Sequence, residues 1–305
     1  MQGILIVDKP AGFTSFDVVA KLRGICKTRK IGHGGTLDPM ATGVLPVFVG
    51  NAAKAVDMQE RAEKEYVARM KLGARTDTGD SNGAVIETRD VPASLDAAAL
   101  RAALPHFLGD QMQTPPMYSA VKVNGVPLYK AARAGRTVER KARPVCIHEL
   151  ECLGKTGENE YELRILCSKG TYVRVLIEDI AAHLGTAAHM TALRRTAAGP
   201  YRLADAHTLD EIQAARDEGT LEELMLSVET VFAHLPAVEV SAGQRRRLEN
   251  GAPVRCAEDA PARVRILADG RFLGVGRAQG GELRAEKLFA EREGSNAVHQ
   301  NIVED

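Results

Sequence analysis

Apolar residues fall in short, separated runs along this chain, and their spacing changes from run to run. Residues 3–7, "GILIV", form a continuous apolar run closed by the turn "KPAG", which predicts a short buried strand. Thr14 stands three residues before Asp17, the spacing of a capping box. Val18, Val19, Leu22, Ile25 and Cys26 then recur at helical intervals, so a helix is expected over 15–28, with a basic outer face. Val44–Val49 reads as a second strand. "YVARMKL", Tyr66–Leu72, alternates: Tyr66, Ala68, Met70 and Leu72 share one face, while Arg69 and Lys71 lie on the other. That is the signature of a half-buried strand. "GARTDTGDSNG" follows as a polar loop, and Ser94–Phe107 reads as a helix stopped near Pro105 and Gly109. Tyr161–Cys167 alternates again. Val173, Leu176, Ile180 and Leu184 predict a helix ending at Gly185.

Strands and helices without regular strand–helix alternation point to an α+β fold rather than a doubly wound sheet. Between two of these runs, residues 114–143 are rich in turn formers and positive charge and read as an extended excursion. Beyond Leu235–Pro236 the texture shifts to short strands and turns, with Asp269–Gly270 as a hairpin signal. The expected organisation is a large domain over 1–236 and a small β-rich domain over 237–290. A flexible tail is expected over 291–305.

Composition narrows the classes. Hydrophobic residues make up 45% of the chain and Trp is absent, so the core must be mostly aliphatic and alanine. Five cysteines without a CxxC motif argue against a disulfide framework or a structural zinc. The N-terminal stretch lacks the charged region and apolar length of a signal peptide, and no run reaches the roughly 18 apolar residues of a membrane span. These features predict a soluble protein of the reducing cytoplasm. Forty basic and forty acidic residues cancel, yet the basic ones cluster: Lys21–Lys30, Lys130–Arg143, Arg194–Arg195 and Arg245–Arg247. Several clusters on a neutral chain suit a surface that faces phosphates.

The candidate chemistry lies in "IGHGGTLDPMATGVLPVFVG", Ile31–Gly50, which carries a single carboxylate, Asp38. The stretch lacks the Gly-Lys-Ser/Thr end of a P-loop and the GxGxxG of a dinucleotide site. No nucleophile elbow, GxSxG, occurs. His33, His106, His148, His183 and His189 are scattered without metal-ligand spacing. Two readings of Asp38 remain. It initiates a tight turn with Pro39, or it is a nucleophile, a role that a carboxylate fills without metal or cofactor.

"GHGGTLDPMATGVLPV" resembles the signature of the TruB family of tRNA pseudouridine synthases. Further blocks follow in family order over residues 3–200: "GILIVDKPAGFTSFDVV", "KEYVARMKLGARTDTGDSNG", "PPMYSAVKVNGVPLYKAARAG", "CSKGTYVRVLIEDIAAHLG" and "AHMTALRRTAAG". The C-terminal part resembles the PUA-like domain of bacterial members. The resemblance implies a pseudouridine-synthase fold, with a mixed, largely antiparallel sheet flanked by helices. It implies isomerisation of uridine to pseudouridine at position 55 of tRNA, by a monomer that binds the T-arm and uses no cofactor, metal or membrane. By the same resemblance Asp38 is the catalytic aspartate, attacking C1′ or C6 or assisting a glycal route. Tyr66 stacks on the target uracil and is a candidate for handling the C2′ proton. Arg174 pairs with Asp38. Tyr172 and Leu193 pack around the base, and in extended backbone Tyr172 and Arg174 project to the same side. His33 fills the stack that the flipped nucleotide leaves; Gly34, where relatives often have Thr, would loosen its loop. Lys9 is structural or near the phosphates. Segment 114–143 clamps the T-arm, with Lys130 and Arg133 on phosphates.

Two other classes compete. A non-catalytic RNA-binding protein on the same fold would lack the aspartate or its partner, and both are present. A metal-dependent hydrolase acting on RNA would need a ligand set that the sequence does not offer.

Overall fold

The computed structural model describes residues 1–59, 63–123, 125–257 and 259–290. The expected tail over 291–305 lies outside the described residues. A nine-stranded sheet organises the larger part. Its main path runs Gly3–Lys9, Thr42–Val49, Ala188–Ala198, Lys64–Leu72, Glu160–Cys167, Arg143–Gly157 and Gly109–Gln113. Two short strands join at its margins, Ile31–His33 on Thr42–Val49 and Tyr201–Arg202 on Ala188–Ala198. All pairings are antiparallel except one, between Thr42–Val49 and Ala188–Ala198, where Arg194 faces Thr42 and Arg195 faces Gly43. The mixed, largely antiparallel sheet is therefore as expected.

That single parallel contact depends on a missing side chain. A Cβ on Gly43, whose φ is +99°, would lie 2.2 Å from the Arg195 carbonyl oxygen. Only glycine allows the two strands to meet there at this conformation.

The local elements follow their sequence signals. Thr14 caps the helix Ser15–Ile25 with a reciprocal capping box to Asp17, and the helix buries Val18, Val19, Leu22 and Ile25. Lys64–Leu72 buries Tyr66, Ala68, Met70 and Leu72 on one face, where the alternation placed them. The helix expected over Ser94–Phe107 is shorter, Ala97–Ala103, and tightens into a 3₁₀ turn over Leu104–Phe107, as Pro105 cannot donate to a continued helix. Segment 114–143 departs from the extended expectation: it holds a small hairpin, Lys122–Val123 with Val126–Pro127, and a helix, Leu128–Arg133. Two of the longest strands escaped the alternation test. Arg143–Gly157 and Ala188–Ala198 both carry bulges, and each bulge resets which residues face the core.

A second sheet of five strands, from Ala237–Glu239 to Glu282–Leu288, forms the C-terminal unit. Its hairpin turns at Asp269 and Gly270, both with positive φ, as the Asp-Gly signal requires. This unit is not independent of the first. Val275 and Phe289 lie in one hydrophobic cluster with Ile4, Ile6, Val44, Phe48 and Phe232, so the two sheets share a core. The rings of Phe232, Phe272 and Phe289 pack with centroids 5.6–6.0 Å apart, Phe272 stacked on both others and Phe232 tilted against Phe289. Phe289 is fully buried. Phe289→Ala is expected to cost about 3–5 kcal/mol, measured by denaturant unfolding, and to shift the unfolding of the whole chain. A separate early transition confined to the C-terminal unit would show that the shared core does not couple the two.

Candidate active site

The site is built on one face of the large sheet. In the pairing of Lys64–Leu72 with Ala188–Ala198, Tyr66 stands opposite Arg195 and Ala68 opposite Leu193. Alternation then puts Lys64, Tyr66, Ala68, Leu193 and Arg195 on the same face. The loop 34–41 lies against it and presents Asp38.

That loop has little freedom. Ser15, at the start of the first helix, accepts from the Leu37 amide through its hydroxyl at 2.9 Å. The Gly12 amide donates to the Pro39 carbonyl at 2.8 Å. Lys9 is fully buried and its ammonium donates to the carbonyls of Pro10, Phe13 and Pro39, the last at 3.2 Å. Arg195, also fully buried, donates from Nε to Val44 O at 2.7 Å and from Nη2 to Gly35 O at 3.2 Å. The loop is thus tied on both sides of Asp38.

Asp38 and Arg174 form a two-toothed ion pair, with Nε–Oδ2 at 3.0 Å and Nη2–Oδ1 at 3.1 Å. Arg174 is 4% exposed, whereas the Asp38 side chain keeps 30% of its surface open to the cleft. Two further guanidinium donors are engaged, Nη1 on Thr78 O at 2.7 Å and Nη2 on Tyr118 O at 2.9 Å. Burial raises the Asp38 pKa above the ordinary carboxylate value. Arg174 opposes that shift, and the nearby Asp80 adds to it. Asp80 itself is held by the Thr78 hydroxyl at 2.8 Å and the Asn82 amide at 3.0 Å. The result is an exposed-edged carboxylate whose charge state hangs on one arginine.

Tyr66 is 6% exposed, and burial pushes its phenol above the usual value while the adjacent Arg195 guanidinium draws it back. It is therefore neutral near pH 7, an aromatic face with a held hydroxyl. His33 sits on the same loop as Asp38. Its pKa is lowered by burial and then by Arg195, and its Nδ1 accepts from the Gly35 amide at 3.4 Å, so the ring is a neutral Nε2–H tautomer. Gly34 does not leave a gap. A Cβ there would meet the Gln59 side chain at 2.9 Å and Phe48 at 3.1 Å, so neighbours occupy the space a larger residue would need.

The structure thus brings Asp38, Tyr66 and Arg174 together, with His33 on the Asp38 loop and Leu193 on the sheet face. Tyr172 adjoins the site for a reason other than the one expected. The helix Val173–His183 begins directly after it, so Tyr172 is the cap residue and Arg174 lies in the first helical turn; no extended backbone joins the two. Gln113 fixes Tyr172, accepting from its amide at 2.7 Å and donating to its carbonyl at 3.1 Å. Of the two readings of Lys9, structural or near the phosphates, its full burial favours the first. Lys130 and Arg133 are exposed on the short helix of segment 114–143, Arg133 lying over the Tyr129 ring at 5.6 Å. Ser15 and Arg195 were missed. Both belong to blocks quoted above, but a serine at a helix start and an arginine in a basic pair carry no signal of a buried tie. Among the described residues, no group of three or more His, Cys, Asp or Glu is placed to hold a metal ion.

Comparison with known proteins agrees over the whole length. A model of the TruB family pseudouridylate synthase N-terminal domain matches residues 23–173. Models of the tRNA pseudouridylate synthase B C-terminal domain and of the pseudouridine synthase II TruB C-terminal region match 174–233 and 236–289. The chain is 43% identical over 297 residues to tRNA pseudouridine synthase B of Azoarcus sp. (strain BH72), covering 96% of this chain and 97% of that protein. To the Burkholderia mallei (strain NCTC 10247) protein of the same name it is 44% identical, over 94% and 97% of the two chains. Among solved structures, a chain of a Cbf5-Nop10-Gar1 complex superposes with a TM-score of 0.71 at 28% identity, covering 95% of this chain and 85% of its own. An H/ACA RNP bound to a substrate RNA containing 2′-deoxyuridine gives a TM-score of 0.70 at 26% identity, over 95% and 86%.

The loop ties generate a direct test. Ser15→Ala leaves the Leu37 amide without its acceptor. The expected cost is about 1–3 kcal/mol, together with faster hydrogen exchange at that amide. Unchanged exchange would mean that Ser15 does not hold the loop.

Proposed function

Because the chain belongs to the TruB family of pseudouridylate synthases and isomerises uridine to pseudouridine in tRNA, we propose that its target is uridine 55 in the T loop. The observation that supports this site of action is the Asp38–Arg174 pair, a buried arginine on a carboxylate that keeps 30% of its side chain exposed, with the buried Tyr66 ring nearby. A base stacked in a folded T loop cannot reach a carboxylate at that depth, so the nucleotide leaves its stack and enters the cleft. His33, neutral and flat, takes the vacated place.

In the cleft the ionised Asp38 carboxylate starts the exchange of the bond from N1 for one from C5, by addition at C1′ or C6 or by assisting a glycal route. Arg174 fixes both carboxylate oxygens and leaves Asp38 one geometry of approach. Tyr66 and Leu193 hold the detached uracil between a ring face and an apolar side chain while it turns. Tyr66 is also placed to handle the C2′ proton of the ribose. Segment 114–143 grips the T-arm, and it is tied to the site by the Tyr118 carbonyl, which accepts from Arg174. A cavity of about 1170 Å³ between the two units, lined by Lys30, Lys54 and Lys287, offers further cations to the RNA backbone.

Asp38→Asn is expected to abolish pseudouridine formation in an unmodified tRNA transcript and to retain tRNA binding, which is spread over many phosphates. Turnover comparable with the parent would exclude Asp38 as the reacting group. Chemical mapping of the product decides the position; pseudouridine elsewhere than at 55 would overturn the T-loop assignment.

The pH dependence follows from the ion pair. The reacting form is the carboxylate, so the single-turnover rate falls as pH drops through the raised Asp38 pKa. Arg174→Met removes the charge that opposes the shift, so the acid limb moves to higher pH. Arg174→Lys keeps the charge but loses the two-toothed grip, and a displacement of roughly 1 Å costs about a hundredfold in rate. Three superimposable profiles would separate Arg174 from Asp38.

Reversing Lys130, Arg133 and Arg136 together is expected to reduce the salt slope of tRNA binding by roughly 2–3 in log–log units. An unchanged slope would remove segment 114–143 from the interface.

A further inference from the structure

Lys64 enters none of the roles above, although it begins the strand that carries Tyr66. It sits two residues from Tyr66 on the same face, so strand geometry puts their side chains about 6.6–6.8 Å apart along the sheet. A Cβ placed on Gly35 would lie 3.1 Å from the Lys64 ammonium and 3.6 Å from Arg195 Nη1. The two cations therefore converge over the bare Cα of one glycine in the Asp38 loop. No acid stands between them. Arg195 spends its donors on the carbonyls of Val44, Thr36 and Gly35. Glu63 faces His148 at 4.0 Å, and Glu65 is taken by Arg164 at 3.3 Å and by the Thr196 hydroxyl at 2.6 Å. Among the described residues, the Lys64 ammonium makes no hydrogen bond and no ion pair.

A half-buried ammonium beside a buried guanidinium, without an anion, is unfavourable on two counts. It has lost part of its hydration, and it repels its neighbour. Burial, then Arg195, holds the Lys64 pKa down to about 8; Cys167 raises it slightly and the exposed Lys169 lowers it further. An anion arriving with the substrate relieves both penalties. The substrate of this cleft carries its anions at a fixed spacing from its base, as phosphodiesters.

We infer that Lys64, with Arg195 behind it, forms a subsite for the backbone phosphate that flanks the flipped uridine. The inference rests on the tRNA reading of the cleft. Glycine at position 35 lets the Lys64 ammonium lie close against the Asp38 loop, with Arg195 buried behind it, and Tyr66 fixes the base one strand step away. Unlike Lys130 and Arg133, which lie on the solvent side of the clamp, Lys64 would engage only a nucleotide already out of its stack. Its contact is thereby tied to flipping.

The test is a phosphate scan. A series of T-arm stem-loops, each with one methylphosphonate replacing a loop phosphate, is bound and turned over by the parent, Lys64→Met and Lys64→Arg proteins. In the parent, one substitution next to the target uridine is expected to weaken binding on the order of ten- to a hundredfold. Lys64→Met is expected to lose a similar factor on the unmodified RNA and to become indifferent to that one position. Lys64→Arg, which restores a charge on a similar stem, is expected to regain the sensitivity. If Lys64→Met stays as sensitive as the parent at every position, or binds unmodified RNA equally well, the subsite is overturned. If the parent forms no pseudouridine in the unsubstituted stem-loop, the T-loop reading falls and the subsite with it.

Discussion

A carboxylate that must be both buried and charged constrains everything around it. Asp38 lies deep enough for burial to raise its pKa, yet the chemistry proposed for it needs the ionised form. Arg174 resolves the conflict by giving four hydrogen bonds from a nearly buried guanidinium, two of them to Asp38 and two to backbone carbonyls. Those carbonyls come from residues 78 and 118, so the polar loop after the third long strand and segment 114–143 are both drawn to the same cation. Moving any one of them changes the field at the carboxylate.

The same economy appears in the backbone. The aspartate loop carries several glycines, which give it freedom, and four side-chain or main-chain ties that remove it. Lys9 and Arg195 both bury a full positive charge to hold carbonyl oxygens of residues 35–39. Charges are costly devices for holding a loop. They suit this one because the loop must stay open toward substrate and cannot be held by packing on that side. The positive potential they leave behind also favours a polyanion entering the cleft.

The C-terminal unit contributes at a distance. Val275 and Phe289 complete the apolar layer under the strands Gly3–Lys9 and Thr42–Val49, which flank the Asp38 loop. A unit packed in this way shares stability with the large sheet. Its removal would expose apolar surface beneath the strand that leaves the active site.

Much of this was legible in the order of residues alone. The capped helix Ser15–Ile25, the alternating strand through Tyr66, the Asp-Gly hairpin and the lone Asp38 all depend on contacts between near neighbours, and near neighbours are visible in the sequence. Motif resemblance added the partnership of Asp38, Tyr66 and Arg174, and the folded chain places them together. What the sequence could not show were relations between residues remote along the chain. Ser15 meets Leu37 across 22 positions, and Arg195 meets Gly35 across 160. Bulges in Ala188–Ala198 broke the alternation that would have revealed the strand carrying Leu193 and Arg195. Lys9 was open to a structural or a phosphate-facing reading until the fold closed over it. Lys64 carried no signal of its own until the fold set it beside Arg195. Side-chain type and local spacing were written in the sequence; burial and charge proximity arose only when distant strands became neighbours.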